Sequence, residues 1–579
     1  MNVRKAGLWT GGILLFLILA AFVAVRVLVD PQHLREMARD KVRKHLSREL
    51  TLADVKLEFS PLPSIHAVDV AITGKDEPAI KAAALIADLE LLPLLLGQAK
   101  YRTVYVKDAT IERGGSTWRI EEGTVESGPD LHDVKISASL WRNRKPVALV
   151  AQFDDLSNLG KAGQATNGRI ELAWNQAKLV AAGRMPLDGT LAGHAIQVDL
   201  TAESIRDLCD FFGLERRPSA AFHAKFDARD KDGHVEISNL DLTLGRSHVR
   251  GEATYTPGDK PVVDARLAFG RIDWTQVYLD AGGKHPPPKG EESFRDTPLA
   301  WWALTGLDGY KGKVDATFEM LILRNGIQLT NLKTHSTFDG DRWDMASFDT
   351  QLLGGTGKGA IRLVGSKKSA RFDFDGTGML MERWIKERGG KAPVTGGPMT
   401  VKLRLSSSGE SFHDLVGSMS GPFNVRMGRA QLNSAHAGEL EAKLTTTFSG
   451  READHVEFEC ASFGLPFRNG RAEGSHLVGT RTAVSTLLTD GVVDMRQDQV
   501  DLRGRMKGKR GVGLAAIMGD VKITGPVKKP KMHLDETKVP KAIAKGALAV
   551  ATLGLSAVGA AAADAEEGRR NDPCEAVFR

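Results

Sequence analysis

The chain has 579 residues, with 78 Lys and Arg against 72 Asp and Glu for a net charge of +6. So small a balance over this length excludes a polybasic nucleic-acid binder. Hydrophobic residues at 42% beside charged residues at 26% exclude a disordered chain and a polytopic membrane protein, and three cysteines exclude a disulfide scaffold.

Ala6 to Val25 is a run without a charge, long enough at 1.5 Å per residue to span about 30 Å of hydrocarbon. A cleaved signal has a shorter apolar core, roughly 7–15 residues, and a small-x-small site. None occurs between Ala20 and Arg26, so the run reads as a retained anchor. Arg4 and Lys5 precede it; Arg26, Arg35, Arg39, Lys41, Arg43, Lys44 and Arg48 follow. Counted by the positive-inside rule, these charges keep the large C-terminal part in the cytoplasm. Asp30-Pro31 then reads as an N-cap with Pro at the first helical position. Leu34, Met37, Ala38, Val42 and Leu46 give the helix that follows one apolar face, either on a membrane surface or against the next domain.

From Thr51 the dominant period is two. Val55, Leu57 and Phe59 alternate with charged residues; so do Phe222, Ala224 and Phe226, then Val314, Ala316, Phe318 and Met320, then Val401, Leu403 and Leu405, then Val456, Phe458 and Cys460. These are half-buried strands with one wet face. Asp232-Gly233, Asn325-Gly326, Asp339-Gly340, Asn469-Gly470 and Asp490-Gly491 read as the turns of an antiparallel meander. Helical patterns are few, Ala202 to Leu214 and Met379 to Arg388. The reading divides the chain into an anchor at 1–30, a β half at 31–280 that opens with the helix 31–49, a linker or long loop at 281–297 around Pro286-Pro287-Pro288, a β half at 298–535, and an Ala-rich helix and tail at 536–579. A meander of that length holds on the order of 30 strands at about 4.8 Å spacing. Its apolar face is hidden either by sandwich packing or in a lengthwise groove that acyl chains would fill.

No catalytic or cofactor signature emerges. His-Glu-x-x-His and Cys-x-x-Cys are absent. Gly354-Gly355-Thr356-Gly357-Lys358-Gly359 lacks the first Gly and the Ser/Thr of a phosphate loop and reads as a hairpin turn. Gly417-Ser418-Met419-Ser420-Gly421 has Met at the nucleophile position of an elbow motif. The expectation is no enzyme, no cofactor and no metal. The basic stretch Arg503, Arg505, Lys507, Lys509, Arg510, Lys522, Lys528, Lys529 and Lys531 is either an anionic-lipid contact or a rim that keeps a sheet edge from pairing.

Several segments in order carry a resemblance: Asp30-Pro31 and its helix, Leu50-Thr51-Leu52, Phe59-Ser60-Pro61-Leu62-Pro63, Leu89 to Gly97, Val104-Tyr105-Val106, Leu415 to Gly421, and Val521 to Pro526. Together they resemble the AsmA-like family, whose start is similar to that of chorein-type bridge-like lipid-transfer proteins; TamB and YhdP are larger relatives. Ser47-Arg48-Glu49 stands where the family's pattern usually has Gly-Arg. The resemblance implies a mainly β fold: an N-terminal transmembrane helix, a short chorein-like helix, an elongated curled antiparallel sheet forming a β-groove, and a C-terminal helix. It implies a single-pass bacterial inner-membrane protein with its body in the periplasm, against the charge count. The implied role is phospholipid transfer toward the outer membrane, with phospholipids, the inner membrane and envelope assembly proteins as partners and no nucleic acid; the alternative is a scaffold or regulator of outer-membrane protein assembly with a sealed interior. Val55, Leu57, Phe59, Phe226, Phe318, Phe372, Leu403 and Phe458 are expected to line the groove. The resemblance also implies a Cys460–Cys574 disulfide, possible in an oxidising periplasm, and leaves Cys209 as a small buried apolar residue. The uncharged run Gly546 to Ala563 is expected to stay in the periplasm, although its length also fits a second span.

Overall fold

The structure, a computed structural model, describes residues 49–273, 299–534 and 572–578, apart from several connecting stretches of which 91–100, 434–454 and 509–519 are the longest, together with Glu36 and Arg39. The apolar run 6–25, the helix expected at 31–49 apart from Glu36, Arg39 and Glu49, and the run 546–563 lie outside the described residues; Glu49 begins a strand. Among the described residues no helix is long and apolar enough to cross a membrane. They hold 30 strands and four short helices, so the protein is mainly β, as the two-residue period requires. The chain forms two compact units: Met1–Pro257 with Tyr278–Gly283, and Gly258–Val277 with Lys284–Arg579.

In the first unit the chain enters the sheet through an interrupted strand. Glu49–Thr51 and Asp54–Phe59 both pair with Pro63–Thr73, one beyond the other. From there each strand is antiparallel to the next as far as Ser247–Thr256. Asp232 and Gly233, both at positive φ, make the tight turn that their types favour. Helix α1 (Ile205–Phe212) connects the strands Ala195–Ala202 and Phe222–Lys231. It lies within the predicted helical stretch.

The second unit begins with a departure from the expected meander. Val262–Asp273 pairs parallel to Lys311–Ile322, in register from Val262 opposite Lys311 to Asp273 opposite Ile322. A parallel neighbour requires the chain to return to its starting end before re-entering the sheet. The stretch 281–297, read as a linker, lies between these two strands in sequence and outside the described residues. Alternation reports which face a side chain takes and is silent on strand direction, so the sequence could not reveal this. The later pairings are antiparallel. Leu353 and Gly354, both at positive φ, form the hairpin between Arg342–Leu352 and Gly355–Val364, which is where the glycine run was expected to turn. Asp490-Gly491 does not turn. It sits inside the strand Ser485–Asp494, where a Cβ on Gly491 would stand 2.2 Å from the Asp501 carbonyl oxygen. That glycine serves a close approach of two strands.

Helix α2 (Met381–Glu387) follows the strand Ser369–Leu380. Helix α3 (Phe412–Gly417) begins with a capping box: Ser411 Oγ accepts from Asp414 N at 3.0 Å, and the Asp414 carboxylate accepts from Ser411 N at 3.0 Å. Helix α4 (Pro573–Ala576) starts at Asp572, whose carboxylate accepts from Cys574 N.

Candidate apolar binding face

The apolar residues of each strand gather on one face, and that face is covered to different degrees along the first unit. His132–Arg142 and Lys145–Asp155 alternate strictly between buried and exposed. Val134, Ile136, Ala138 and Leu140 meet Phe153, Ala151, Leu149 and Val147 across the ladder, and all join one core with Val104, Ile120 and Trp118. Ile136 is 0% exposed. Helix α1 lies over this core through Leu208 and Phe211, with Phe211 stacked on Trp174 at 4.2 Å. Beyond α1 the cover thins. On the strands from 195 to 256 the buried apolar residues are Ala202, Ala224 and Ala228, while larger ones such as Val198 and Phe226 are only half-buried.

The second unit has the same partly covered face. Phe269 stacks on Phe318 at 4.4 Å across the parallel pair, and Phe318 is half-buried. Phe348, Phe372 and Phe374 form a stack with centroids 5.9 to 6.4 Å apart. Glycines leave the backbone bare beneath two of these rings: a Cβ on Gly359 would stand 2.6 Å from Phe348 Cζ, and one on Gly357 would stand 2.7 Å from Phe374 Cε2. Leu403 and Phe372 are partly buried and pack on a small cluster of Leu353, Phe374, Met379 and Met399. Phe458 packs on Val456, Leu487, Met506 and Val521. Val55, in the first unit, is buried with Ile65 and Leu89. The side chains of Leu57 and Phe59 lie outside the described residues. The six expected lining residues whose side chains are described therefore fall in separate patches within two units.

The opposite face is a lattice of ion pairs. Asp344 is held by Arg342 and Arg362; partial burial raises its pKa, but the two guanidiniums outweigh that and hold it below the usual carboxylate range. Arg404 meets Asp375 at 2.6 Å. In the basic stretch, Arg503 stands opposite Lys522, and Arg505 lies 3.6 Å from Asp520. Lys509, Arg510, Lys528 and Lys529 fall outside the described residues.

Residues 1–121 match the model of the AsmA family. That match covers the first 121 of the chain's 579 residues. It is similar to Protein AsmA of Escherichia coli (strain K12), 25% identical over 290 residues, which is 45% of this chain and 46% of that protein. The match thus spans less than half the length of the curated relative.

The C-terminal tail is fastened to the sheet. Cys460 is disulfide-bonded to Cys574. Arg481 pairs with Asp572 at 3.0 Å and with Glu459 at 2.8 Å, and Arg426 pairs with Glu575. Two glycines make the seat: a Cβ on Gly479 would lie 2.2 Å from the Pro573 carbonyl oxygen, and one on Gly464 would lie 2.6 Å from that of Val577. The seat is on the wet face. Sequence alternation put Cys460 on the apolar face with Val456 and Phe458, but the register runs Phe458 opposite Thr482 and then Cys460 opposite Arg481. Glu459 is thus an extra residue, and such a bulge turns every later side chain to the other face. Cys209 is a buried free thiol, its pKa raised by burial and then by the charge of Asp210.

Proposed function

We propose that this chain is a non-enzymatic lipid-handling protein of the bacterial cell envelope, anchored in the inner membrane by residues 6–25 with its β units in the periplasm, and that it serves outer-membrane biogenesis by carrying phospholipid acyl chains on its apolar sheet faces. The observation that carries this reading is the partly covered apolar face: rows of Val, Leu and Phe stay half-buried on strands whose other face is polar and carries ion pairs. Wet apolar area costs about 25 cal/mol per Å², so a face left open invites a hydrocarbon cover. Kinship with AsmA adds the envelope setting. The sealed core around Ile136 favours the second reading, an assembly scaffold with a closed interior.

Photo-crosslinking in cells decides between them. A crosslinker at Phe318 or Leu403 captures phospholipid; with the crosslinker at Phe318, Leu403→Asp either blocks the capture at an unchanged melting temperature or, through its packing on the Phe374 cluster, destabilises the sheet by about a few kcal/mol. No lipid adduct at either position, with the protein correctly inserted, leaves the scaffold. Alkaline phosphatase fused after Lys100 is active if the body is periplasmic, and inactive if the local charge count rules.

A further inference from the structure

Two cations stand on the apolar face of the first unit, at the end of the sealed core. Arg142 follows Val134, Ile136, Ala138 and Leu140 on the same face of its strand, and the register sets it between Trp118 and Lys145. Lys145 is neutralised by Asp210 of α1 at 2.6 Å. Arg142 is not neutralised: among the described residues no carboxylate pairs with it. Its guanidinium carbon lies 5.0 Å from the centre of the Trp118 ring and 4.6 Å from that of Phe211, and its Nε is buried without a hydrogen-bond partner. The two rings meet edge to face at 6.2 Å, so they hold the guanidinium in a fixed plane. Desolvation is the cause that lowers its pKa, consistent with the lack of a neighbouring acid. A partly buried arginine oriented by aromatic rings, with no acid on its guanidinium, can offer its two terminal nitrogens to an oxyanion.

We propose that Arg142 is a receptor for a phosphate oxyanion, and that the phosphate belongs to a phospholipid headgroup. The assignment to a lipid rests on the function proposed above. It also has a geometric ground within the unit. The half-exposed apolar rows begin on the strand Ala195–Ala202, four strands along the sheet from the strand of Arg142. At about 4.8 Å per strand this is about 19 Å, within the length of an acyl chain. A headgroup at Arg142 would leave its chains within reach of those rows.

The test uses the full-length chain in detergent, stripped of lipid and then offered phosphatidylglycerol, diacylglycerol with the same acyl chains, or inorganic phosphate. Native mass spectrometry reads the bound lipid. Wild type retains phosphatidylglycerol; Arg142→Gln retains at least tenfold less of it, yet keeps diacylglycerol at the wild-type level. Arg142→Lys, which keeps the charge without the two-pronged geometry, falls between them and guards against a folding defect in the first variant. Equal phosphatidylglycerol retention by wild type and Arg142→Gln overturns the Arg142 assignment and leaves lipid handling standing. No retention of either lipid by wild type overturns lipid handling; if inorganic phosphate then raises the melting temperature of wild type and not of Arg142→Gln, the receptor holds free phosphate and the headgroup assignment fails. No response to any of the three ligands overturns both.

Discussion

The bond between Cys460 and Cys574 joins residues 114 apart in sequence, and the loop it closes contains the last six strands, from Arg471 to Leu534 within it and His455–Phe467 at its base. In the chain-entropy description, a loop of that length removes unfolded-state entropy equivalent to about 5 kcal/mol at 25 °C, or about 3.5 decades in the unfolding equilibrium of the part it closes. The tail itself contributes little else. Its ion pairs are partly exposed, and such pairs are worth about 1 kcal/mol or less each. Cys574→Ser therefore isolates the covalent term, because Asp572, Pro573 and Glu575 remain to occupy the seat. Pulse proteolysis of the oxidised full-length chain in increasing urea, read on fragments from 455–534, should show the midpoint for this part falling in the variant and in dithiothreitol-treated wild type alike. Coincident curves for oxidised wild type and Cys574→Ser, with thiol counting confirming that the bond had formed in wild type, would refute the reasoning and mean that the unfolded chain already holds the two cysteines close together.

Ile136→Ala removes a side chain with no exposed surface from the densest part of the first unit and should cost about 2–5 kcal/mol, measured as an earlier thermal transition of that unit; a change within about 0.5 kcal/mol would mean the core there is not packed. Asp344, its pKa held down chiefly by Arg362 and Arg342 against the opposing effect of burial, adds stability that is present above its ordinary value near 4 and is lost as pH falls through its lower folded value. Asp344→Asn should therefore flatten the stability–pH slope of the second unit on the acid side of pH 4, and parallel slopes for variant and wild type would contradict the pairing.

The strands were legible because a half-buried sheet writes its burial directly into alternate residues, and α1 and α2 because their spacing switches to three and four. Helix α3 went unread, although Ser411 and Asp414 at capping-box spacing signalled it. What alternation could not carry was any event that changes parity or direction. The extra residue at Glu459 reverses the faces for the rest of its strand, so Cys460 was read on the wrong side. Gly491 looked like a turn because glycine after aspartate serves turns and close strand contacts equally. The lining residues were legible as apolar but not as exposed: Phe318 and Ile136 occupy equivalent places in their strands' patterns, and only the packing around them distinguishes an open row from a sealed one. Arg142 had no sequence signal, since its value comes from Phe211 of α1 folding back over it.

The parallel pairing of Val262–Asp273 with Lys311–Ile322 also bears on the order in which the second unit assembles. Most of its neighbouring strands can zip from a short turn, a local event on the microsecond scale. The parallel pair must first close a segment of about 37 residues, from Asp273 to Lys311, which costs about 2.6 kcal/mol more in loop entropy than a two-residue turn. The strand Val262–Asp273 is therefore expected to join late, after the hairpins downstream have formed, and until it does the edge of Lys311–Ile322 stands unpaired. During synthesis that edge waits for no later residue, because its partner has already left the ribosome; the delay is purely one of diffusion, and pulsed hydrogen exchange on 262–273 would register it as protection that lags the hairpin 328–352.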